Sequence, residues 1–205
     1  MKKIDTSLYL ITDSSVEPEE MLKKVAQAIE GGVTLIQLRE KRGTTRDMID
    51  IATKLHEVTK SYGVPLIIDD RVDVALAADA EGVHLGKEDM PIDAARKILG
   101  SDKIIGATAK TVPWALEAYE QGADYLGVGA IYPTTTKVKT VLTSTETLDA
   151  ICRAVPIPVN AIGGLNKDNI DVLEGIPIAG ICVVSAIMKA DNPKQAAREL
   201  KGWRK

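Results

Sequence analysis

Leu66–Asp73, LIIDDRVD, and Gly82–Met90, GVHLGKEDM, decide the reading of this chain. Each opens as a short apolar run and ends in carboxylates. A β-branched, apolar burst is how a strand reads in a parallel sheet that is covered on both faces. In an α/β fold, chemistry sits on the loop after such a strand's carboxyl end. Asp69 and Asp70 stand on one of these loops, and Glu88 and Asp89 on the next, one βα unit further on. Neighbouring strand ends bring both loops to one mouth. That is the makings of a Mg²⁺ site, which needs one or two carboxylates and takes its other ligands from water and substrate phosphate.

The same alternation runs outward in both directions. Strands are expected at Leu8–Thr12, Val33–Arg39, Leu66–Asp69, Val83–Leu85, Ile104–Ala107, Tyr125–Ile131, Pro158–Ile162 and Ile181–Val184. Between and after them the spacing predicts helices over 19–30, 45–62, 72–78, 92–99, 113–121, 145–154, 167–173 and 193–201. Eight βα units match a (β/α)₈ TIM barrel, and a doubly wound sheet usually stops at fewer strands. The expectation is one compact α/β barrel domain over residues 1–205. Glycine precedes every second strand (Gly32, Gly82, Gly122, Gly180), which reads as a quarter repeat with helix C-caps.

Composition narrows the function. Net charge is −3, which argues against a nucleic-acid partner, since that would need a basic stripe. Hydrophobic residues reach 45 % while aromatics are 3 %, with no Phe, so an aliphatic core is expected. Cys152 and Cys182 lack metal spacing and read as buried free thiols of a reducing compartment. No apolar stretch approaches the ~20 residues of a membrane span, and the first apolar run is too short for a signal peptide. The expected setting is cytoplasmic. A homo-oligomer is compatible with the sequence.

Several strand ends offer polar groups. Gln37, Arg39 and Lys41 alternate along strand two and are expected on one face, an amide and two cations suited to a pyrophosphate and a polar ring. Asp69 and Asp70, being adjacent, are expected on opposite faces, one for metal and one for substrate or for capping the next helix. His84 reads as a core histidine and His56 as an exposed one. The stretch Ile131–Thr140 suits phosphate through hydroxyls, N–H groups and two lysines, or is a flexible polar loop. Gly163, Gly164 and Ser185 follow strands seven and eight, where barrels often bind phosphate. There is no GxSxG, Cys–His pair or Rossmann glycine pattern. Two phosphate-friendly regions beside a Mg²⁺ site point to moving a group off pyrophosphate, by electrostatic stabilisation of the departing anion.

Taken in order, Gln37-Leu38-Arg39-Glu40-Lys41, Asp70-Arg71-Val72-Asp73, Gly82–Gly86, Glu88-Asp89, Tyr125–Gly129, Pro133–Lys137, Ala161–Gly164 and Val184–Ile187 resemble the thiamine-phosphate synthase family from strand one to strand eight. The resemblance implies a TIM-barrel transferase that joins hydroxymethylpyrimidine pyrophosphate to hydroxyethylthiazole phosphate and releases pyrophosphate. It implies Mg²⁺ on Asp70 and Asp89, and pyrophosphate on Arg39, Lys41 and Lys137 as the catalytic cations. Gln37 would face the pyrimidine. Thr134, Thr136, Gly164, Val184 and Ser185 would hold the thiazole phosphate. Pyrophosphate would leave first, and the thiazole nitrogen would capture the pyrimidine methylene cation without a general base. Three positions depart from the family pattern. Asp69 replaces an Asn and Thr108 a Ser, both at substrate-binding positions, and Val138–Leu142 replaces the usual run after Lys137. The competing readings are a thiazole tautomerase on the same barrel and a non-catalytic thiamine-precursor binding protein.

Overall fold

A computed structural model of the chain describes residues 4–134 and 141–203. Eight parallel strands close on themselves in chain order: β1 (Leu8–Ile11), β2 (Leu35–Leu38), β3 (Leu66–Asp69), β4 (Gly82–Leu85), β5 (Ile104–Ala109), β6 (Tyr125–Gly129), β7 (Val159–Ile162) and β8 (Gly180–Val183). β8 returns to β1 with Tyr9 opposite Cys182. The helices are α1 (Pro18–Glu30), α2 (Thr45–Ser61), α3 (Val72–Ala77), α4 (Ile92–Leu99), α5 (Val112–Glu120), α6 (Thr145–Ala154), α7 (Ser185–Met188) and α8 (Pro193–Lys201). The (β/α)₈ barrel expected from the alternation is the architecture observed. No helix among the described residues is long and apolar enough to cross a membrane.

Strand alternation sorts the core into two shells. Leu8, Leu10, Ile36, Leu66, Ile68, Val83 and Leu126 face outward and pack under the helices with Met21, Val25, Leu55 and Leu148. The opposite parity fills the barrel: Tyr9, Ile11, Leu35, Ile67, Ile104, Tyr125 and Cys182. The outer shell is aliphatic, as the composition led us to expect. The interior departs from that expectation, because Tyr9 and Tyr125 are both fully buried there, edge to face with centroids 5.7 Å apart. Gly106 makes the room: a Cβ at that position would lie 2.1 Å from Cζ of Tyr125.

The glycine quarter repeat has two physical origins. Gly32 and Gly122 have φ of 110° and 97°, in the left-handed region, and do follow helices. Gly82 and Gly180 instead lie inside β4 and β8. A Cβ there would come within 2.1 Å of Ile104 O and 2.0 Å of Thr6 O respectively.

Three local expectations are corrected. The helix expected over 167–173 is a single 3₁₀ turn, Ile170–Leu173. Asn side chains compete with the helical backbone there: Asn169 Oδ1 accepts from Asn166 N at 2.9 Å, and Asn166 Oδ1 from Asp168 N at 2.8 Å. His56 is buried, 8 % exposed, because its ring nitrogens lie 3.0 Å from Ala78 O and 3.0 Å from Glu81 Oε1. Cys182 is buried, but Cys152 is only half-buried.

Candidate active site

The carboxyl ends of the strands surround a cavity of about 160 Å³. Its walls include Tyr9 and Ile11 of β1, Gln37 and Arg39 around the end of β2, Asp69 of β3, His84 of β4 and Thr108 of β5. Thr134, Gly163, Gly164, Val184 and Ser185 close the other side.

β2 ends at Leu38 because Arg39 N takes the Thr12 hydroxyl as its acceptor, at 3.0 Å, in place of a strand carbonyl. The shared-face expectation is met in part. Gln37 and Arg39 line the cavity. Lys41 lies past the strand, three residues beyond its end at Leu38, outside the pleat. Its Nζ is 2.7 Å from Asp69 Oδ2 and also bonds Asp70 Oδ2, while Arg39 Nε is 3.7 Å from Asp69 Oδ2.

The two aspartates do not diverge. Asp70 leaves the strand with φ of 60°, a left-handed conformation that Asp tolerates better than most residues. The pleat stops there, and both carboxylates turn to the same ammonium. The Asp69 side chain is 10 % exposed. Burial, reinforced by the Asp70 charge, holds its carboxyl above the usual range despite Lys41 and Arg39. The same two carboxylates more than offset burial at Lys41, whose ammonium is raised. Asp89 Oδ2 accepts from Gly86 N at 2.7 Å. Its carboxyl is also raised, first by burial and then by the neighbouring Asp70, with Gly86 N–H and Lys41 opposing. Asp70 and Asp89 therefore share one electrostatic environment, while Glu88 is exposed.

Across the cavity, Gly163 and Gly164 have φ of 107° and 64°. Either would clash if it carried a Cβ, Gly163 with Ala130 at 2.4 Å and Gly164 with Tyr132 at 2.7 Å. Asn169 Nδ2 donates to Gly164 O at 2.9 Å and holds this turn. Ser185 opens α7, the short extra helix after β8 that the sequence reading did not include. Thr134 lines the cavity. Thr136 and Lys137 lie outside the described residues.

Sequence reasoning also missed what lies beneath the mouth. Gln37 Nε2 donates to Tyr9 Oη at 2.6 Å, and Tyr9 Oη is 2.7 Å from Tyr125 Oη. Tyr125 Oη is 3.1 Å from His84 Nδ1, and His84 Nε2 is 3.0 Å from Thr108 Oγ1. The signal was present: tyrosines stand in two apolar strand runs of a chain that is poor in aromatics.

Residues 8–187 match the family model described as thiamine monophosphate synthase. The chain belongs to the thiamine monophosphate synthase family. It is 48 % identical over 203 residues to the thiamine-phosphate synthase of Clostridium tetani, covering 98 % of this chain and 97 % of that one. Thiamine-phosphate synthase 2 of Streptococcus pneumoniae serotype 4 is 53 % identical over 186 residues, 90 % of this chain and 89 % of that protein. The solved structure of thiamine phosphate pyrophosphorylase from Pyrococcus furiosus superposes with a TM-score of 0.87 at 45 % identity, covering 96 % and 94 % of the two chains. Family membership and barrel thus agree over residues 8–187.

Proposed function

We propose that this chain condenses hydroxymethylpyrimidine pyrophosphate with hydroxyethylthiazole phosphate to give thiamine phosphate and pyrophosphate. One observation carries the reading beyond family membership. A single cavity is lined on one side by Arg39 and Asp69, and Lys41, bonded to Asp69, extends that side to Asp70 and its neighbour Asp89. On the other side it has a glycine turn and Ser185. Each side suits one phosphorylated substrate, and the cavity between them holds the reacting carbon and nitrogen.

The donor set fits Mg²⁺. Among the described residues no group of three or more His, Cys, Asp or Glu side chains forms a metal cage. Two carboxylates without a thiolate or imidazole are what a hard cation needs when phosphate and water supply the rest. Asp70 and Asp89 would hold it, and when bound it would neutralise charge developing on the departing pyrophosphate.

The chain's own residues do the remaining work. Arg39 and Lys41 bind the pyrophosphate, and Lys137 is assigned the same role by the family pattern. Asp69 and Asp70 occupy Lys41 until a more highly charged anion competes for it. Gln37 orients the pyrimidine from the cavity floor. Gly164, Val184, Ser185, Thr134 and Thr136 take the thiazole phosphate, Gly164 because a residue without a Cβ permits close backbone approach. Ile11, Ile162 and Cys182 line the cavity with apolar surface that shields the methylene cation from water. No general base is needed.

The test is formation of thiamine phosphate from the two purified substrates, with Mg²⁺ and with chelator. Product that depends on Mg²⁺ is expected. Tautomerisation of a thiazole substrate without condensation, or binding of both substrates without product, would refute the synthase reading in favour of the tautomerase or the binding protein.

A further inference from the structure

The hydrogen-bond chain at the inner end of the cavity spans the barrel, and every member but Tyr125 also lines the cavity. It runs from Gln37 on β2 through Tyr9 on β1 and Tyr125 on β6 to His84 on β4 and Thr108 on β5. The three middle members have no part in the reaction as described above.

The chain has a direction, which follows from counting protons. Tyr9 Oη accepts from the Gln37 amide, so its one proton goes to Tyr125 Oη. Tyr125 then gives its own proton to His84 Nδ1. With Nδ1 accepting, the count puts the His84 hydrogen on Nε2, which makes Nε2 the donor to Thr108 Oγ1 3.0 Å away. Thr108 keeps its hydroxyl hydrogen for another partner, and Gln37 keeps its Oε1. Both residues line the cavity. Burial holds both phenols well above their ordinary pKa, so each retains the single proton that the count requires.

We propose that Tyr9, Tyr125 and His84 are positioning residues that lock the Gln37 amide and the Thr108 hydroxyl into opposite polarity. The cavity then presents an acceptor from β2 and a donor from β5. Resting on the synthase reading, this pair selects a pyrimidine that bears an amino group over one with an oxo group in the same place. The amino group donates to Gln37 Oε1, and a ring nitrogen accepts from Thr108. An oxo group would face an acceptor, and a buried polar mismatch of that kind is strongly discriminating. The lock is mechanical as well as electronic. The Tyr125 ring lies 5.6 Å from that of His84, tilted by 36°, and packs so closely on Gly106 that a Cβ there would meet it at 2.1 Å.

Two measurements decide it. The chain has two histidines, so a long-range ¹H–¹⁵N spectrum, assigned with His56→Gln, reads the His84 tautomer directly. The hydrogen is expected on Nε2 in the parent protein, and on Nδ1 or exchanging in Tyr125→Phe. A parent His84 with its hydrogen on Nδ1 would mean the reverse order and would overturn the proposal, whether or not the protein is a synthase. The second measurement is the ratio of kcat/KM for the 4-amino and 4-oxo pyrimidine pyrophosphates. It should fall at least tenfold in Tyr125→Phe and in Tyr9→Phe, with the KM for thiazole phosphate unchanged. An unchanged ratio in variants that melt normally would also overturn it. A parent protein that makes no thiamine phosphate refutes the synthase reading instead, and the tautomer still judges the chain.

Discussion

Lys41 Nζ lies 2.7 Å from a carboxylate oxygen of Asp69, so the most buried acid at the mouth is matched by a cation that reaches solvent. Removing the cation leaves the acid, among the described residues, with only the more distant Arg39, at 3.7 Å. Lys41→Met is expected to cost about 1–3 kcal/mol in urea unfolding, the penalty of a buried group left without its partner. It should also lower kcat/KM about 100-fold or more through loss of pyrophosphate binding. The double variant Lys41→Met/Asp69→Asn should regain most of the stability and none of the rate. Asp69→Asn alone should be at least as active as the parent, because the neutral amide removes a charge that repels pyrophosphate. A large loss in Asp69→Asn would show that this carboxylate is itself a working ligand.

Asp70 and Asp89 should be tested as amides. Asp70 has φ of 60°, so alanine there would add backbone strain to the chemical change, whereas asparagine adopts that conformation readily. Asp70→Asn and Asp89→Asn should each lower Mg²⁺-supported turnover by about 100-fold or more, with part of the rate regained at high Mg²⁺. Near-parent rates at low Mg²⁺ in either variant would rule out its assignment as a metal ligand.

Ser185→Ala acts on the other side of the cavity. It should raise the KM for thiazole phosphate about tenfold, one hydrogen bond to a charged group, and leave the KM for the pyrimidine substrate unchanged. An effect confined to the pyrimidine substrate would place the two phosphates the other way round.

Tyr9 and Tyr125 make stability fall at alkaline pH. Both phenols are held well above their ordinary value in the folded state, chiefly by burial. In the unfolded chain they ionise near pH ~10. Below that value both states are protonated and the contribution is fully present. As pH rises past it, the unfolded state loses protons that the folded state keeps, so unfolding becomes easier. Denaturation curves between pH 8 and 11, set beside phenolate absorbance at about 295 nm, check this. Two of the five tyrosines should ionise only with unfolding. Full phenolate absorbance in a folded protein at high pH would contradict it.

The barrel was legible because strands buried on both faces and helices with one apolar stripe differ in period, and eight units repeat that contrast. The acids were legible because carboxylates end two apolar runs one βα unit apart, where a single pair would read equally well as a helix cap. That Asp69 and Asp70 turn to one ammonium was not, because it depends on the positive φ of Asp70, and pleat alternation gives the opposite answer. His56 looked exposed from its place on α2, and its ring is satisfied by Ala78 O and Glu81 Oε1, which the chain between α3 and β4 brings to it. α7 was hidden by its length, four residues after a strand end. The polar chain was hidden because its five members come from five strands.

Gly106 and Tyr125 also constrain how this barrel could have diverged. A methyl group at position 106 would occupy the place of the phenol ring, so the two sites are not free to drift independently. Any lineage that gains a side chain at 106 must first give up the ring at 125. The intermediate on that path has a hole in its interior and a severed hydrogen-bond chain. History at this pair therefore has a preferred order, and a library that samples both sites together should recover substitutions at 106 only on backgrounds that have already lost the tyrosine.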